Sequence, residues 1–172
     1  MASLMENLIE VLGQESEEYE GLLELTRKKT QIIASADLEA LQKITEDEQE
    51  VVGRLNHLEK KRIEVTADIA NVLNKDVETL KLSNLIDMMS KRPSEQAALA
   101  QAHDRLRRSV RELRRMNEQN RELLESALEM VEFEMNLLQA SKAAPTTANY
   151  TKNAYSSDMQ MGVNSGGFDA KQ

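Results

Sequence analysis

The chain has 172 residues and a formal net charge of −8, with 30% charged and only 3% aromatic residues. A composition rich in Glu, Leu, Ala, Lys and Arg and poor in glycine and proline is typical of long helices and coiled coils, and it excludes a thick globular core. The absence of cysteine excludes disulfides and thiolate chemistry, and the acidic balance argues against nucleic acid as the main partner.

The sequence also gives no sign of a membrane segment. No apolar run approaches the roughly 18 residues that a spanning helix requires, so we expect no membrane insertion. The N-terminal residues lack the basic region and the uninterrupted apolar core of a signal peptide. These features predict a cytoplasmic protein with a single helical domain.

The first helix is predicted from a capping box followed by apolar periodicity. Ser3 and Glu6 have the spacing at which the two side chains cap each other's backbone N–H groups. The apolar residues that follow share one face as far as Ile33, which predicts a helix over about residues 4–33.

A short polar turn separates the first helix from the second. Ser35 or Asp37 is the expected N-cap of a helix over residues 38–73, and Asn74 suits a left-handed C-cap position. Most seam positions of this second helix are apolar, which indicates a packed face. A connection this short favours an antiparallel hairpin.

Two further helices are predicted after the hairpin. Residues 80–90 form a short helix capped by Ser83. The last long helix begins at Pro93 and is expected to end near Ala143, because Pro145 cannot continue it.

The last helix has the 3–4 apolar spacing of a coiled-coil seam. Two asparagines occupy seam positions, and a buried seam asparagine fixes helix alignment at a cost in stability. We therefore expect Asn117 and Asn120 to specify register. The predicted seam comprises Leu99, His103, Leu106, Val110, Leu113, Asn117, Asn120, Leu124, Ala127, Val131, Glu134 and Leu138.

The apolar face of the last helix widens along its length. At about 100° per residue, the apolar residues before Met116 fall within roughly 60°, whereas those after Asn120 spread over roughly 180°. One layer of neighbouring helices needs a stripe only somewhat wider than about 100°. The apolar surface beyond this width is either covered by the short helix or a second chain, or it binds an amphipathic partner helix. The expected partner-binding residues are Leu123, Leu128, Met130, Phe133, Met135 and Leu137, while Leu124, Val131 and Leu138 hold the bundle.

The sequence contains no recognisable arrangement of catalytic residues. His57 and His103 are the only histidines, and neither has the glutamate three residues earlier that a di-iron helical bundle requires. A glycine-rich phosphate loop and a nucleophile elbow are also missing. We therefore expect no enzyme activity, no catalytic residue, no metal and no cofactor.

An arginine run over residues 105–115 leaves two interpretations open. Such a run can bind phosphates, as in a nucleic-acid binder, although no aromatic residues interleave with it. If the first and last long helices run parallel, the run instead pairs with four glutamates of the first helix. The glutamates are Glu15, Glu17, Glu18 and Glu20, and the arginines are Arg105, Arg107, Arg108, Arg111, Arg114 and Arg115.

The C-terminal residues differ in composition from the helices. Residues 143–172 are rich in Thr, Ser, Asn and Gly, and they bury too little to offset their own ordering entropy. We expect a flexible tail after a bundle over residues 1–142. The candidate contacts of this tail are Tyr150, Tyr155 and Phe168.

The last helix and the tail resemble one protein family. The pattern N-x-x-N-x-x-L-L occurs at Asn117, Asn120, Leu123 and Leu124, and the chain closes with FDAKQ at residues 168–172. Both features come after a long helical hairpin in the chain. This order is similar to that of the FlgN-type flagellar export chaperones.

The resemblance implies a function and a binding region. Such a chaperone binds the hook–filament junction proteins FlgK and FlgL in the cytoplasm, keeps them unassembled and delivers them to the flagellar type III export gate. The clients contribute C-terminal helices, and the chaperone uses its C-terminal region. The family's tail tyrosine, which is linked to the export gate, corresponds here to Tyr150 or Tyr155.

These observations together predict an all-α, elongated antiparallel bundle of three long helices and one short helix. The predicted function is a non-catalytic escort for hook-associated proteins, acting as a monomer or weak homodimer. Two alternatives stay open: a self-associating structural coiled coil without a client, and a nucleic-acid binder that uses the arginine run.

Overall fold

The computed structural model describes residues 3–143. Over this range the chain forms four helices and no strand, in the order α1 (Leu4–Ser35), α2 (Leu38–Leu73), α3 (Leu82–Met88) and α4 (Pro93–Ala143). The predicted all-α class, with three long helices and one short helix, is confirmed. Within this part of the chain, no helix is both long and apolar enough to cross a membrane.

The N-termini of α1 and α2 are fixed by side-chain caps. The backbone N–H of Glu6 donates to Ser3 Oγ at 3.1 Å, and the N–H of Ser3 donates to Glu6 Oε2 at 2.6 Å, which completes the predicted capping box. At the second helix, the N–H of Ala40 donates to Asp37 Oδ1 at 2.9 Å. Asp37 is therefore the N-cap.

Helices α1 and α2 both end in a Schellman motif. Asn74 adopts a left-handed conformation (φ 52°), as predicted, and the N–H of Lys75 donates to the carbonyl of Ala70 at 2.9 Å. Ala36 takes the same conformation (φ 55°) after α1, and the N–H of Asp37 reaches the carbonyl of Ile32 at 3.4 Å. This cap at Ala36 was not predicted, because alanine is uncommon in the left-handed conformation.

Two apolar clusters show how the helices run. The first joins the start of α1, the end of α2, α3 and the start of α4; it comprises Leu8, Leu12, Ile69, Ala70, Leu80, Leu85, Met89 and Leu99. The second joins the middle of the three long helices and comprises Leu22, Leu23, Val51, Leu55, Leu113 and Met116. Thus α1 and α2 are antiparallel, and α1 and α4 are parallel.

The short helix differs from its predicted form and role. It begins at Leu82 after Lys81, which provides no side-chain cap, and Ser83 lies inside the helix. The capping role predicted for Ser83 is therefore wrong. Leu85 of α3 packs in the first cluster, so α3 closes the N-terminal end of α4 rather than covering its C-terminal half.

At position 117 the seam of α4 differs from the prediction. Met116 is 8% exposed and Asn120 is 4% exposed, whereas Asn117 lies on the exposed side. At about 100° per residue, Met116 and Asn117 are equally far, about 50°, from the line between Leu113 and Asn120. Between two equivalent positions, the apolar thioether is buried and the amide remains in water. The predicted seam position of Asn117 is therefore wrong.

The chain divides into two compact units, Met1–Leu128 and Glu129–Gln172. Every residue that is buried in the described structure lies in the first unit. Of the second unit, the structure describes residues 129–143, all of which are helical and exposed. The predicted tail, apart from Ala143, lies outside the described residues, and so do Tyr150, Tyr155 and Phe168.

Candidate partner-binding surface

The second unit carries a dense set of exposed apolar side chains. Each is more than half exposed, although six large apolar residues within nine positions normally mark a buried helix. Contiguous exposed patches of this kind indicate an interaction site. We call this set the C-terminal apolar surface; it comprises Met130 (65%), Val131 (52%), Phe133 (66%), Met135 (54%), Leu137 (61%) and Leu138 (61%).

The exposure of Val131 and Leu138 corrects the prediction that they hold the bundle. At about 100° per residue, Leu138 lies in line with Asn120 and Val131 about 20° away, so both continue the direction of the α4 seam. They are nevertheless 52% and 61% exposed. The buried seam of α4 ends at Asn120 in the described structure.

Helix lengths explain why the seam ends there. The Asn120 amide nitrogen donates to the carbonyl of Thr26 at 3.0 Å, and Thr30 Oγ1 donates to Asn120 Oδ1 at 2.6 Å. α1 ends at Ser35, five residues after Thr30, whereas α4 continues for 23 residues after Asn120. α1 therefore has too few residues to match the remaining length of α4.

Two predicted partner-binding residues lie in the first unit. Leu123 is 36% exposed and Leu128 is 63% exposed. Both precede the C-terminal apolar surface on the same continuous helix. The sequence missed the exposure of Val131 and Leu138, and the signal that would have found it is the difference in length between the first and last helices.

A cluster of polar side chains lies next to the end of the seam, and we call it the polar node. It comprises the buried residues Thr26 and Asn120 and the partly buried residues Lys29, Thr30 and Glu48. Besides its bond to Asn120, Thr26 approaches Glu48 of α2, with Thr26 Oγ1 and Glu48 Oε1 3.3 Å apart. Lys29 Nζ donates to Glu48 Oε2 at 2.6 Å. One set of hydrogen bonds thus joins α1, α2 and α4. Asn120 is buried and bonded to Thr26 and Thr30 of α1, partners that the sequence did not indicate. Its role in specifying register stays a prediction.

Within the described residues, the arginine run is only partly neutralised by ion pairs. Arg105 donates to both carboxylate oxygens of Glu20, at 2.8 and 2.7 Å, and this hydrogen bonding lowers the pKa of Glu20. Arg115 pairs with Glu112 on its own helix at 2.6 Å. The other four arginines make no ion pair within residues 3–143. They are Arg107, Arg108, Arg111 and Arg114, all exposed.

The glutamates of α1 therefore divide between two helices. Glu18 pairs with Arg54 of α2 at 2.9 Å, and Glu15 pairs with Arg62 of α2 at 3.0 Å. Only the Glu20–Arg105 pair matches the predicted pairing between α1 and the arginine run. For Glu15 and Glu18 that prediction is wrong, because the antiparallel helix α2 presents its own arginines to them.

Glu15 is the most deeply buried ionisable group described. Its side chain is 3% exposed, and its Oε2 atom has no hydrogen-bond partner within the described residues. Burial raises the pKa of Glu15 and outweighs the opposing effect of Arg62. No group of three or more potential metal-ligating side chains occurs in residues 3–143. Glu15 is a lone carboxylate inside a helical packing layer, which is a structural position.

Comparison with known families decides the identity of the chain. Residues 1–157 match the model of the family described as FlgN protein. The chain belongs to the FlgN family. This membership gives the protein a flagellar chaperone role, and the matched range contains all four helices and the whole C-terminal apolar surface. No curated protein and no solved structure matched the chain.

Proposed function

We propose that this FlgN-family protein binds the C-terminal amphipathic helices of FlgK- and FlgL-like hook-associated proteins on the C-terminal apolar surface. It is a cytoplasmic, non-catalytic escort in this proposal. The observation that carries the proposal is the run of six large apolar side chains, each more than half exposed, on a helix of a chaperone family. A chaperone that keeps an amphipathic helix from assembling must offer it such a surface.

The side-chain chemistry suits a helical client. Met130 and Met135 have unbranched, polarizable side chains that adapt to different apolar neighbours. Phe133 adds a large rigid contact area. Leu123 and Leu128 are exposed apolar residues of the first unit and complete the proposed set of client-binding residues.

Isothermal titration of a FlgK-like C-terminal segment into single variants tests the proposal. Met135→Asp and Leu128→Asp should each weaken binding by about 2 kcal/mol or more, roughly 30-fold, if each side chain is a buried contact in the complex. Both side chains are more than half exposed in the free chain, so the variants should retain their helical circular dichroism.

Two controls separate binding from folding. Ile63→Asp introduces the same charge at a 53% exposed apolar position on α2 and should leave client affinity unchanged. Leu106→Asp places the charge in contact with the first cluster and should unfold the bundle. Wild-type affinity in folded Met135→Asp and Leu128→Asp variants would move the client site elsewhere, with the tail residues Tyr150, Tyr155 and Phe168 as the next candidates.

Delivery to the export gate is assigned to the tail in this proposal. The support is the family resemblance, in which a tail tyrosine is linked to the gate, and Tyr150 and Tyr155 both fall inside the matched range. Tyr150→Ala and Tyr155→Ala should be tested one at a time for client secretion. The expected result is that one of them abolishes secretion while client affinity is unchanged, and normal secretion by both variants would reject the assignment.

Self-association and nucleic-acid binding are the competing functions. A dimer that hides the C-terminal apolar surface would sediment as two chains at micromolar concentration and would bind no client segment. A nucleic-acid binder would retain duplex DNA or RNA at physiological salt through Arg107, Arg108, Arg111 and Arg114, with affinity that falls steeply as salt rises.

A further inference from the structure

One charged residue lies at the centre of the C-terminal apolar surface. The residues three and four positions before Glu134 are Val131 and Met130, and those three and four positions after it are Leu137 and Leu138. On a helix, these four positions are the nearest surface neighbours of a side chain. Glu134 is therefore surrounded by apolar side chains that are each more than half exposed.

Other glutamates of this segment have different surroundings. Glu132 has two polar neighbours, Glu129 and Asn136, besides the apolar Leu128 and Met135, so it lies at the margin of the apolar residues. Glu125, in the first unit, pairs with Arg121 on its own helix at 3.0 Å. Glu134 has no lysine or arginine three or four positions away, and no ion pair of Glu134 occurs within the described residues.

A helix that covers the four apolar neighbours must also cover Glu134. Removing a carboxylate from water without a partner is strongly unfavourable, whereas a cation in hydrogen-bonding contact offsets the loss of hydration. We infer that Glu134 is a specificity-determining residue, and that it selects partner helices carrying a lysine or arginine within their apolar face. This inference rests on the proposed function, because it names the chemistry of the helix that the surface binds.

The same geometry opposes a second copy of this chain as the occupant. The apolar neighbours are arranged symmetrically before and after Glu134, so a two-fold contact centred on them brings two Glu134 carboxylates together. Like charges in one desolvated site repel. Residues 129–143 carry three glutamates and one lysine, so two copies of this segment are both acidic. The charge pattern therefore favours a basic partner over self-pairing.

The test is a binding cycle with the full chain and two synthetic peptides. Both peptides are the same amphipathic helix, with lysine at the centre of the apolar face in one and methionine there in the other. Wild-type protein should prefer the lysine peptide by about tenfold or more. Glu134→Gln should remove this preference, because the amide carries no charge to pair.

Two control variants make each result interpretable. Glu132→Gln removes a neighbouring charge at the margin of the apolar residues and should keep the lysine preference. Met135→Asp should weaken both peptides alike, because it disrupts the apolar contact that they share. Glu134→Leu, examined by sedimentation, should associate with itself more strongly than the wild type, since the repulsion is lost.

Each outcome has one meaning. If binding depends on Met135 but the wild type shows no lysine preference, or if Glu134→Gln keeps the preference, the inference is wrong and the proposed function stands. If Met135→Asp leaves the affinity for both peptides and for the FlgK-like segment unchanged, both the inference and the proposed function are wrong. A tight wild-type dimer would also overturn the inference, because a second copy would then occupy the surface.

Discussion

At the scale of single residues, Asn120 is the buried polar group that hydrogen-bonds α4 to α1. Its amide is 4% exposed, donates to the Thr26 carbonyl and accepts from the Thr30 hydroxyl. Asn120→Ala removes both bonds, although the Thr30 hydroxyl still reaches the Thr26 carbonyl at 3.2 Å. The expected loss is about 1–3 kcal/mol in the free energy of unfolding, measured by urea denaturation.

Asn117→Ala is the matched control for this prediction. The substitution is chemically identical, three residues away on the same helix, but Asn117 is exposed. Its effect should stay within about 0.5 kcal/mol, because exposed positions away from special features tolerate change. Equal effects at the two positions would contradict the assignment of Asn120 as the buried partner.

Glu15 gives a prediction about pH. Its pKa is raised above the ordinary value of 4.5 by burial, with Arg62 opposing and Glu59 adding to the shift. The ionised form is therefore less favourable in the folded chain than in the unfolded chain. The stability that Glu15 contributes is fully present below pH 4.5 and is lost as pH rises through its folded pKa.

The effect of Glu15→Gln on the free energy of unfolding should therefore depend on pH. Relative to the wild type, the variant should become more stable as pH rises from about 4 towards 7, because glutamine cannot ionise. Urea denaturation at several pH values measures this difference. Glu17→Gln, which removes an exposed charge from the same helix, is the control. If the difference in the free energy of unfolding between Glu15→Gln and the wild type did not change with pH, burial would not be raising the pKa of Glu15.

At the scale of elements, the end of α1 contains a residue that is poorly suited to its conformation. Ala36 has φ 55°, where a Cβ atom is disfavoured and glycine is not. Ala36→Gly should therefore stabilise the protein by about 0.5–1 kcal/mol, seen as a raised melting temperature. Ala34→Gly, two residues earlier and inside the helix, should instead destabilise it by about 1 kcal/mol. If both glycine substitutions lowered the melting temperature, the left-handed cap at Ala36 would be contradicted.

Helix boundaries were predictable because they depend on local chemistry. The Ser3–Glu6 capping box, the Asn74 cap and the limits of α2 follow from residues within one turn of each helix end. The short helix α3 was less predictable: its N-cap residue is Lys81, and tertiary packing of Leu85 holds it in place. Propensity decides little when a seven-residue helix is fixed by its neighbours.

Seam positions were predictable only where one side chain was clearly apolar. The 3–4 pattern identified Leu99, Leu113 and Asn120 as buried, but it could not decide between Met116 and Asn117. The ambiguity arises because α4 faces both α1 and α2 in the second cluster. A helix that contacts two partners buries a wider arc than a two-stranded seam, and the heptad pattern does not describe that arc.

At the scale of the whole molecule, the candidate surface was predictable in position but not in extent. The widening apolar arc after Asn120 identified Met130, Phe133 and Met135 from sequence. The same periodicity assigned Val131 and Leu138 to the bundle, because a seam pattern does not show where the partner helix ends. That information lies in the register between Thr30 and Asn120 and in the difference in length between α1 and α4.

All buried residues of the described structure lie in the first unit. Truncation after this unit is therefore the clearest test of whether folding and client binding are separate. Of the described residues after Asn120, none is buried, and only Leu124 is intermediate in exposure. A chain that ends at Leu128 keeps both apolar clusters, the polar node and every buried seam residue. Exposed side chains contribute little to stability, so this truncation should melt within about 2 °C of the full chain.

The same truncation removes the whole C-terminal apolar surface. It should therefore lose measurable affinity for the FlgK-like segment while keeping its fold, which separates binding from stability in one variant. A chain that ends at Glu118 is the matched control; it also lacks Asn120, and it should melt several degrees lower because the bonds to Thr26 and Thr30 are gone. If the chain ending at Leu128 still bound the client, the C-terminal apolar surface would be unnecessary for recognition, and the client-binding site would have to lie within the first unit.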